Sequence, residues 1–331
     1  MNCATGACPV PDEPKGVIKL ADGAGGREMH ELIKEIGARL RTSGWQGSDD
    51  DAASFCVKEG RVFFTTDSYV VTPLFFPGGN IGKLAFCGTV NDLAVKGALP
   101  IGLSLSLVIE EGLPKDEFFK IIQTIGELSK KHKIPIVTGD TKVMDKGAVD
   151  KLVICTSGVG TGELIDSKVE EGDVIVVSGG IGEHGAALLA KRFELETELE
   201  TDSKVMLEEV AAIQAYARHI KDITRGGLAS VLCEIAEKKG VMLEVEEEAI
   251  PAKKEVKALC GMLGIDFMNL ACEGRLVAIC KPDFDISALK KLNPAAAIIG
   301  KVSKGSGVVV QTRLGKKMLH MPSGNIVPRI C

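Results

Sequence analysis

Four acidic positions in the first half of the chain could do chemistry together. Asp49, Asp50 and Asp51 crowd into a turn of small residues, Gly47-Ser-Asp-Asp-Asp-Ala-Ala53. Residues 61–66 read as a strand that delivers Asp67 at its C-terminal end, and residues 134–138 deliver Asp140 in the same way. Asn91-Asp92 stands in a helix that is otherwise apolar or small. Taken singly, each of these is equally well a solvated turn carboxylate. Asp92 is harder to read that way, because a carboxylate on an apolar helix is costly unless it is paired or binds a cation. Carboxylates that converge repel one another unless a divalent cation holds them. Hard oxygen ligands of this kind suit magnesium, which takes a few carboxylates plus phosphate oxygens.

The phosphate would need its own site. The nearest approach to a Walker A loop, Pro77-Gly-Gly-Asn-Ile-Gly-Lys-Leu84, lacks the first glycine and the terminal hydroxyl residue. Gly180-Ile-Gly-Glu-His-Gly185 follows a strand and opens a helix, as a dinucleotide fingerprint should. The acidic stretch after that helix, residues 193–202, carries no second strand to present a ribose-binding carboxylate, so a tight strand-to-helix turn explains the glycines better. Asp222-Ile-Thr-Arg-Gly-Gly227 places a carboxylate, a hydroxyl, a guanidinium and bare backbone before a helix; it reads as an anion site or as an N-cap loop. Glu273 lies just before a strand and faces a cleft or solvent. Lys142, two residues after Asp140, could neutralise phosphate or be a surface lysine.

These residues need elements to hold them. Residues 1–16 form a Pro-containing leader with Cys3 and Cys8, which looks disordered. Gly23-Ala-Gly-Gly26 is a flexible loop, and Met29, Leu32, Ile33, Ile36 and Leu40 then recur at helical spacing. Further strands are expected at 101–109 and 152–156, with helices near 82–95 and 115–131. After a polar stretch, 166–172, the mixture repeats. Strands fall at 174–177, 242–245, 276–280, 297–302 and 308–311; helices fall near 186–192, 203–218 and 228–238. The expected domains are residues 17–166 and 167–318, each α+β or α/β. An extended tail, 319–331, ends in Pro-Arg-Ile-Cys331.

Bulk composition bounds the function. With 331 residues, 45% of them apolar, the chain can build about two cored domains. A net charge of -5 argues against nucleic acid or an anionic membrane as partner. The N-terminus has neither a basic start nor an apolar stretch, so a cytoplasmic protein with reduced thiols is expected. Ten cysteines include no CxxC pair, and most, such as Cys87, Cys155 and Cys280, lie in apolar runs. Cys331 stands apart as the last residue.

Several runs resemble a known family. Thr65-Thr-Asp-Ser-Tyr-Val-Val71, Phe75-Phe-Pro-Gly-Gly79, Cys87-Gly-Thr-Val-Asn-Asp-Leu-Ala94, Val137-Thr-Gly-Asp-Thr-Lys142 and the 222–227 loop, closed by Pro328-Arg-Ile-Cys331, are similar to the HypE hydrogenase-maturation family. That family belongs with aminoimidazole ribonucleotide synthetase, selenophosphate synthetase and thiamine-monophosphate kinase. The aspartate motifs are common to the superfamily; the terminal Pro-Arg-Ile-Cys is the specific signal. The resemblance implies a two-domain α/β (α+β) fold with a β-rich dimerising N-terminal domain, a C-terminal α/β domain and a flexible tail. It implies a homodimer that binds ATP and Mg2+. It places Asp50 or Asp51, Asp67, Asp92, Asp140 and Asp222 at magnesium and phosphate, with Gly23, Gly25, Gly26, Asn91 and Gly139 beside the nucleotide. Asp22 departs from the histidine expected before the glycine loop. The implied activity is ATP-dependent dehydration of a carbamoyl group on Cys331 to a thiocyanate, with Glu273 as base and Lys142 countering phosphate charge. The implied partners are the carbamoyltransferase HypF and the iron-carrying HypC–HypD complex. A small-molecule kinase of the same superfamily would ignore the tail, and a nucleotide-gated scaffold would release no phosphate.

Overall fold

The computed structural model describes residues 26–28, 30–31, 51–57, 60–324, 327 and 330. The leader, Asp22, Gly23, Gly25, Asp50, Cys331 and most of the helix expected from Met29 to Leu40 lie outside them.

The first sheet has the order β1-β2-β7-β5-β6. Its strands are β1 (Ala53–Val57), β2 (Gly60–Tyr69), β5 (Ala98–Glu110), β6 (Ile136–Met144) and β7 (Leu152–Gly162). Of its strand pairs only β5 and β6 run parallel. Along β2 the side chains alternate, as a pleat requires: Phe63, Thr65 and Tyr69 are buried while Phe64, Thr66 and Ser68 are exposed. Helix α1 (Ile81–Val95) lies on the inner face, and α2 (Lys115–His132) packs against α1. Asn80 caps α1, its side-chain oxygen accepting from the amides of Gly82 and Lys83 at 2.9 and 3.2 Å. Almost every α1 residue is buried, apolar all round, because the helix is covered on both sides. Leu84 and Val90 join the first-domain core, while Ala94 and Val95 pack with Met206 and Val210 of the second half.

A two-stranded hairpin, β3 (Phe75–Phe76) and β4 (Gly79–Asn80), precedes α1. The second sheet has the order β14-β13-β10-β12-β8-β11-β9. In chain order these are β8 (Val174–Val177), β9 (Ala217–Asp222), β10 (Met242–Glu246), β11 (Leu276–Cys280), β12 (Ala297–Ser303), β13 (Gly307–Thr312) and β14 (Gly315–Leu319). Its helices are α3 (Glu183–Arg192), α4 (Leu207–Ile213), α5 (Gly227–Lys239), α6 (Lys254–Leu263) and α7 (Ser287–Leu292). Of its pairs only β10 and β13 are parallel, so of the two class readings α+β describes both halves. Among the described residues no helix is long and apolar enough to cross a membrane.

Three expectations need correction. Residues 203–218 are not one helix: α4 covers only seven residues, and pairing with β11 draws 217–222 into β9. Asp67 and Asp140 lie inside β2 and β6, not at their ends, because neighbouring strands keep both ladders going to Tyr69 and Met144. Leu319 closes β14, so the region expected as tail begins inside the sheet.

Candidate active site

Asp67, Asp92, Asp51 and Asp222 are brought together where the inner face of the first sheet meets β9. Thr65 and Asp67 share a strand face at the two-residue period. The Thr65 hydroxyl donates to Asp92 Oδ2 at 2.8 Å and lies 2.9 Å from the Asp51 carbonyl. Tyr69 donates its phenol to Asp67 Oδ2 at 3.1 Å, and Thr89 of α1 lies 3.4 Å from the same oxygen. Lys221, next to Asp222, reaches back to Asp51 Oδ1 at 2.6 Å and to Glu234 at 3.4 Å. Threonine and lysine partners of this kind carry no motif, but Thr65 and Lys221 could have been found from their spacing to Asp67 and Asp222.

The electrostatics are repulsive. Burial, then the charges of Asp67, Asp222 and Asp51, push the Asp92 carboxyl well above the ordinary range, with the Thr65 hydroxyl opposing. Asp222 is raised well above it by burial and by Asp51, against Lys221. Tyr69 is also raised, by burial and by Asp67 and Asp92. Like charges held together out of water are unstable alone and well suited to a cation. Among the described residues no three His, Cys, Asp or Glu side chains close a ready-made metal cage. That is compatible with magnesium, which commonly takes one or two carboxylates and completes its shell with water and phosphate oxygens.

Asp140 and Lys142 are not brought to this cluster. In register, Asp140 aligns with Ser106, Cys155 and Ser68, whereas Asp67 aligns with Thr156, Leu105 and Gly139. Ser68 is on the exposed face and Thr156 on the buried one, so Asp140 and Lys142 occupy the opposite face from Asp67. They are also three strands away, about 14 Å at normal strand spacing. Gly139 has a packing reason: a Cβ there would meet the Leu105 carbonyl oxygen at 2.4 Å.

Asn91 is committed to backbone. Its amide donates to the Lys204 carbonyl at 2.9 Å and lies 3.5 Å from that of Glu273, and its oxygen accepts from Met206 N at 2.9 Å. It thereby ties α1 to the loop before α4. Glu273 is buried, its backbone amide held by Asp202 Oδ1 at 2.9 Å. Its charge adds a little to the burial that raises both Tyr69 and Cys87. The Cys87 thiol is pushed up to about 12, chiefly by burial, and stays a small core group. In the 222–227 loop, Gly227 has φ +66° and packs on residues 268–270, where a Cβ would lie 2.3 Å from the Met268 carbonyl oxygen. Gly26 touches the tail: a Cβ would meet the Pro322 carbonyl at 2.4 Å, and Arg27 N donates to that oxygen at 2.8 Å.

The tail returns to the body. Ile330 is buried in the core cluster that also holds Phe76, Leu188 and Ala271, worth about 1.5–3 kcal/mol for a side chain of this size. The fingerprint-like glycines open α3 from β8, whose neighbours β11 and β12 are both antiparallel; among the described residues no parallel βαβ unit stands there to hold a dinucleotide.

With this geometry in place the likeness to known proteins is decisive. The chain matches the AIR synthase related protein family, by its N-terminal domain over residues 49–162 and its C-terminal domain over 170–313. It is 41% identical over 338 aligned positions to the carbamoyl dehydratase HypE of Rhizobium leguminosarum bv. viciae, covering 97% of each chain. The chain belongs to the HypE family. Among solved structures it resembles the HypE chain of a HypE–HypF complex (TM-score 0.81, 37% identity, covering 88% of this chain and 99% of the other). It also resembles a HypE in complex with ATP (TM-score 0.79, 36% identity, covering 94% and 99%).

Proposed function

We propose that this chain uses ATP to dehydrate a carbamoyl group carried on the Cys331 thiol, giving the thiocyanate that supplies a cyanide ligand during [NiFe]-hydrogenase assembly. The observation that carries this reading is the tail: Ile330 is buried at the junction of the two halves, in a core cluster that includes Ala271, two positions before Glu273, in a HypE-family chain ending in Cys331. A solvated terminus would have no reason to dock there. HypF, which forms a complex with a relative, would load the carbamoyl group; the HypC–HypD complex would receive the product, in the cytoplasm. The working division is residues 17–166, a second domain from 167 to the end of β14 at Leu319, and a tail after it.

In this reaction the carbamoyl oxygen attacks the γ-phosphorus of ATP and ADP leaves, turning a poor leaving group into phosphate. Glu273 takes a proton from nitrogen, the C–O bond breaks, phosphate departs, and with loss of the second N–H proton an S–C≡N group remains. Asp51, Asp67, Asp92 and Asp222 are the residues that would hold magnesium, whose chemistry is to draw charge from the phosphate oxygens. Thr65 and Tyr69 fix the orientation of those carboxylates.

Lys142 and Asp140 take part only if a second copy of the chain supplies them. The exposed face of the first sheet carries Phe64, Leu99 and Met144, and among the described strands β6 is an edge, as in a sheet that meets another in a homodimer. Each copy would then lend Asp140 and Lys142 to its partner's site, Lys142 countering the charge that develops on phosphate.

The test uses the purified chain with HypF, carbamoyl phosphate and Mg-ATP, and weighs the C-terminal peptide. A carbamoyl adduct on Cys331 that loses one water only when ATP is present is the expected result. An unmodified Cys331, with HypF active on a control, would overturn the proposal.

A further inference from the structure

The Gly180-Ile-Gly-Glu-His-Gly185 turn has so far only a structural explanation, yet it places a histidine at the end of the chain. His184 is wholly buried at the start of α3. Its Nε2 lies 2.8 Å from the Ile330 carbonyl oxygen, and its Nδ1 lies 2.7 Å from Thr201 Oγ1. A carbonyl can only accept, so Nε2 carries the proton and donates to it. The Thr201 hydroxyl then donates to Nδ1, while accepting from Ser203 N at 3.1 Å. Burial holds His184 neutral, pushing it down to about 4, with Arg192 and Lys83 adding to the effect against the Ile330 hydrogen bond.

The surroundings are shaped for this contact. Phe76 meets the imidazole edge-on at 5.4 Å. Gly185 leaves room for the tail, since a Cβ there would touch Ile330 Cδ1 at 3.3 Å and Leu270 Cβ at 3.1 Å. Thr201 is itself held by the hairpin turn, its amide donating to the Pro77 carbonyl at 2.9 Å. The same loop runs directly into the reaction centre: Asp202 accepts from Glu273 N, and the Lys204 carbonyl accepts from Asn91. The carbonyl that His184 grips belongs to the peptide bond joining Ile330 to Cys331, a planar unit whose orientation limits where the terminal thiol can go.

We propose that His184, with its tautomer set by Thr201, is a positioning residue that grips the last peptide carbonyl and so presents the loaded Cys331 to Glu273 and ATP. The inference rests on the reading of Cys331 as the substrate-bearing residue. The 180–185 turn and the 201–204 loop then act jointly, the first binding the tail and the second holding the base.

The test uses full-length protein already carbamoylated by HypF, mixed with saturating Mg-ATP, with thiocyanate formation on the terminal peptide followed through a single turnover. His184→Leu, which fills the space but has no donor, should slow this step by about tenfold or more, the scale expected when a reacting group is misplaced. Affinity for Mg-ATP should stay within about twofold, and in the same variant before carbamoylation the free Cys331 thiol should alkylate faster, as expected when only positioning is lost. His184→Gln, which keeps a donor, should recover much of the rate. A wild-type dehydration rate in His184→Leu, or equal losses of rate and ATP affinity, would overturn the proposal. Should His184→Leu fail to fold, Thr201→Val decides by the same readouts: a slowed step with intact ATP binding supports the assignment and an unchanged step refutes it. Wild-type protein that forms no thiocyanate at all would instead defeat the underlying reaction.

Discussion

Asp92 and Asp166 are both aspartates set among polar neighbours, and their surroundings act on them in opposite directions. Asp92 accepts from the Thr65 hydroxyl and has three other carboxylates around it, and its proton affinity is driven up. Asp166 accepts from His219 Nδ1 at 2.8 Å and from the Lys239 ammonium. Burial alone would raise it, but these donors outweigh burial and hold its carboxyl far below the usual range. The second arrangement is complete as it stands and fastens residue 166, after the first sheet, to β9 and α5. The first is crowded, and a cation or a proton would relieve it. A charge that is satisfied belongs to the architecture; one that is crowded by its own kind belongs to the chemistry.

Breaking the crowded site should have the largest effect on turnover. Asp92→Asn keeps an acceptor for Thr65 but removes a charge, and should lower ATP-dependent thiocyanate formation by about 100-fold or more, the scale of losing a charged transition-state contact. Without magnesium the same variant should melt about 2–4 °C higher, the shift worth about 1 kcal/mol in a domain of this size, because repulsion is relieved. A lower melting point with retained activity would erase the distinction between the two aspartates.

A second copy that completes the crowded site would sharpen the contrast further. Asp92→Asn and Asp140→Asn chains should each be inactive alone, yet a mixture that exchanges subunits should regain activity. A mixed dimer contains one site in which both residues are intact, so about a quarter of wild-type activity is expected if pairing is random. No recovery on mixing would place Asp140 outside the partner's site.

The satisfied site should show the reverse pattern. Asp166→Asn should cost about 1–3 kcal/mol of stability, the range for hydrogen bonds to a charged group, while leaving turnover within about threefold. Its pH dependence has a definite sign. A carboxyl whose folded pKa is depressed stabilises the fold above its unfolded value near 4, and loses that contribution as pH falls below it. Wild-type stability should therefore drop on acidification below about pH 4 more steeply than that of Asp166→Asn, as urea titrations at several pH values would show.

How far these regions could be read beforehand differed for physical reasons. Helix α1 and strand β11 were legible because their apolar runs are long and bounded, and Asp92 stood out against such a run. The stretch 203–218 misled because Met206, Val210 and Ile213 recur at helical spacing and nothing in Gln214-Ala-Tyr216 signals a stop; pairing with β11 decides the matter. Strand β6 carries Thr138, Asp140 and Lys142 without apolar alternation, so its length, and the face on which Asp140 lies, emerged only from its register with β5. Thr201 sits in an acidic, strandless stretch with no pattern of its own. His184 lay inside a glycine pattern that pointed to the wrong ligand.

The most direct test of the central claim follows two products in one reaction. Carbamoylated protein is mixed with Mg-ATP, and phosphate release and the mass of the Cys331 peptide are measured at the same time points. One phosphate for each carbamoyl group converted to thiocyanate, with both rates falling together in Asp92→Asn, is the predicted result. Phosphate released while the Cys331 adduct keeps its water would separate the carboxylate cluster from the tail and contradict the account.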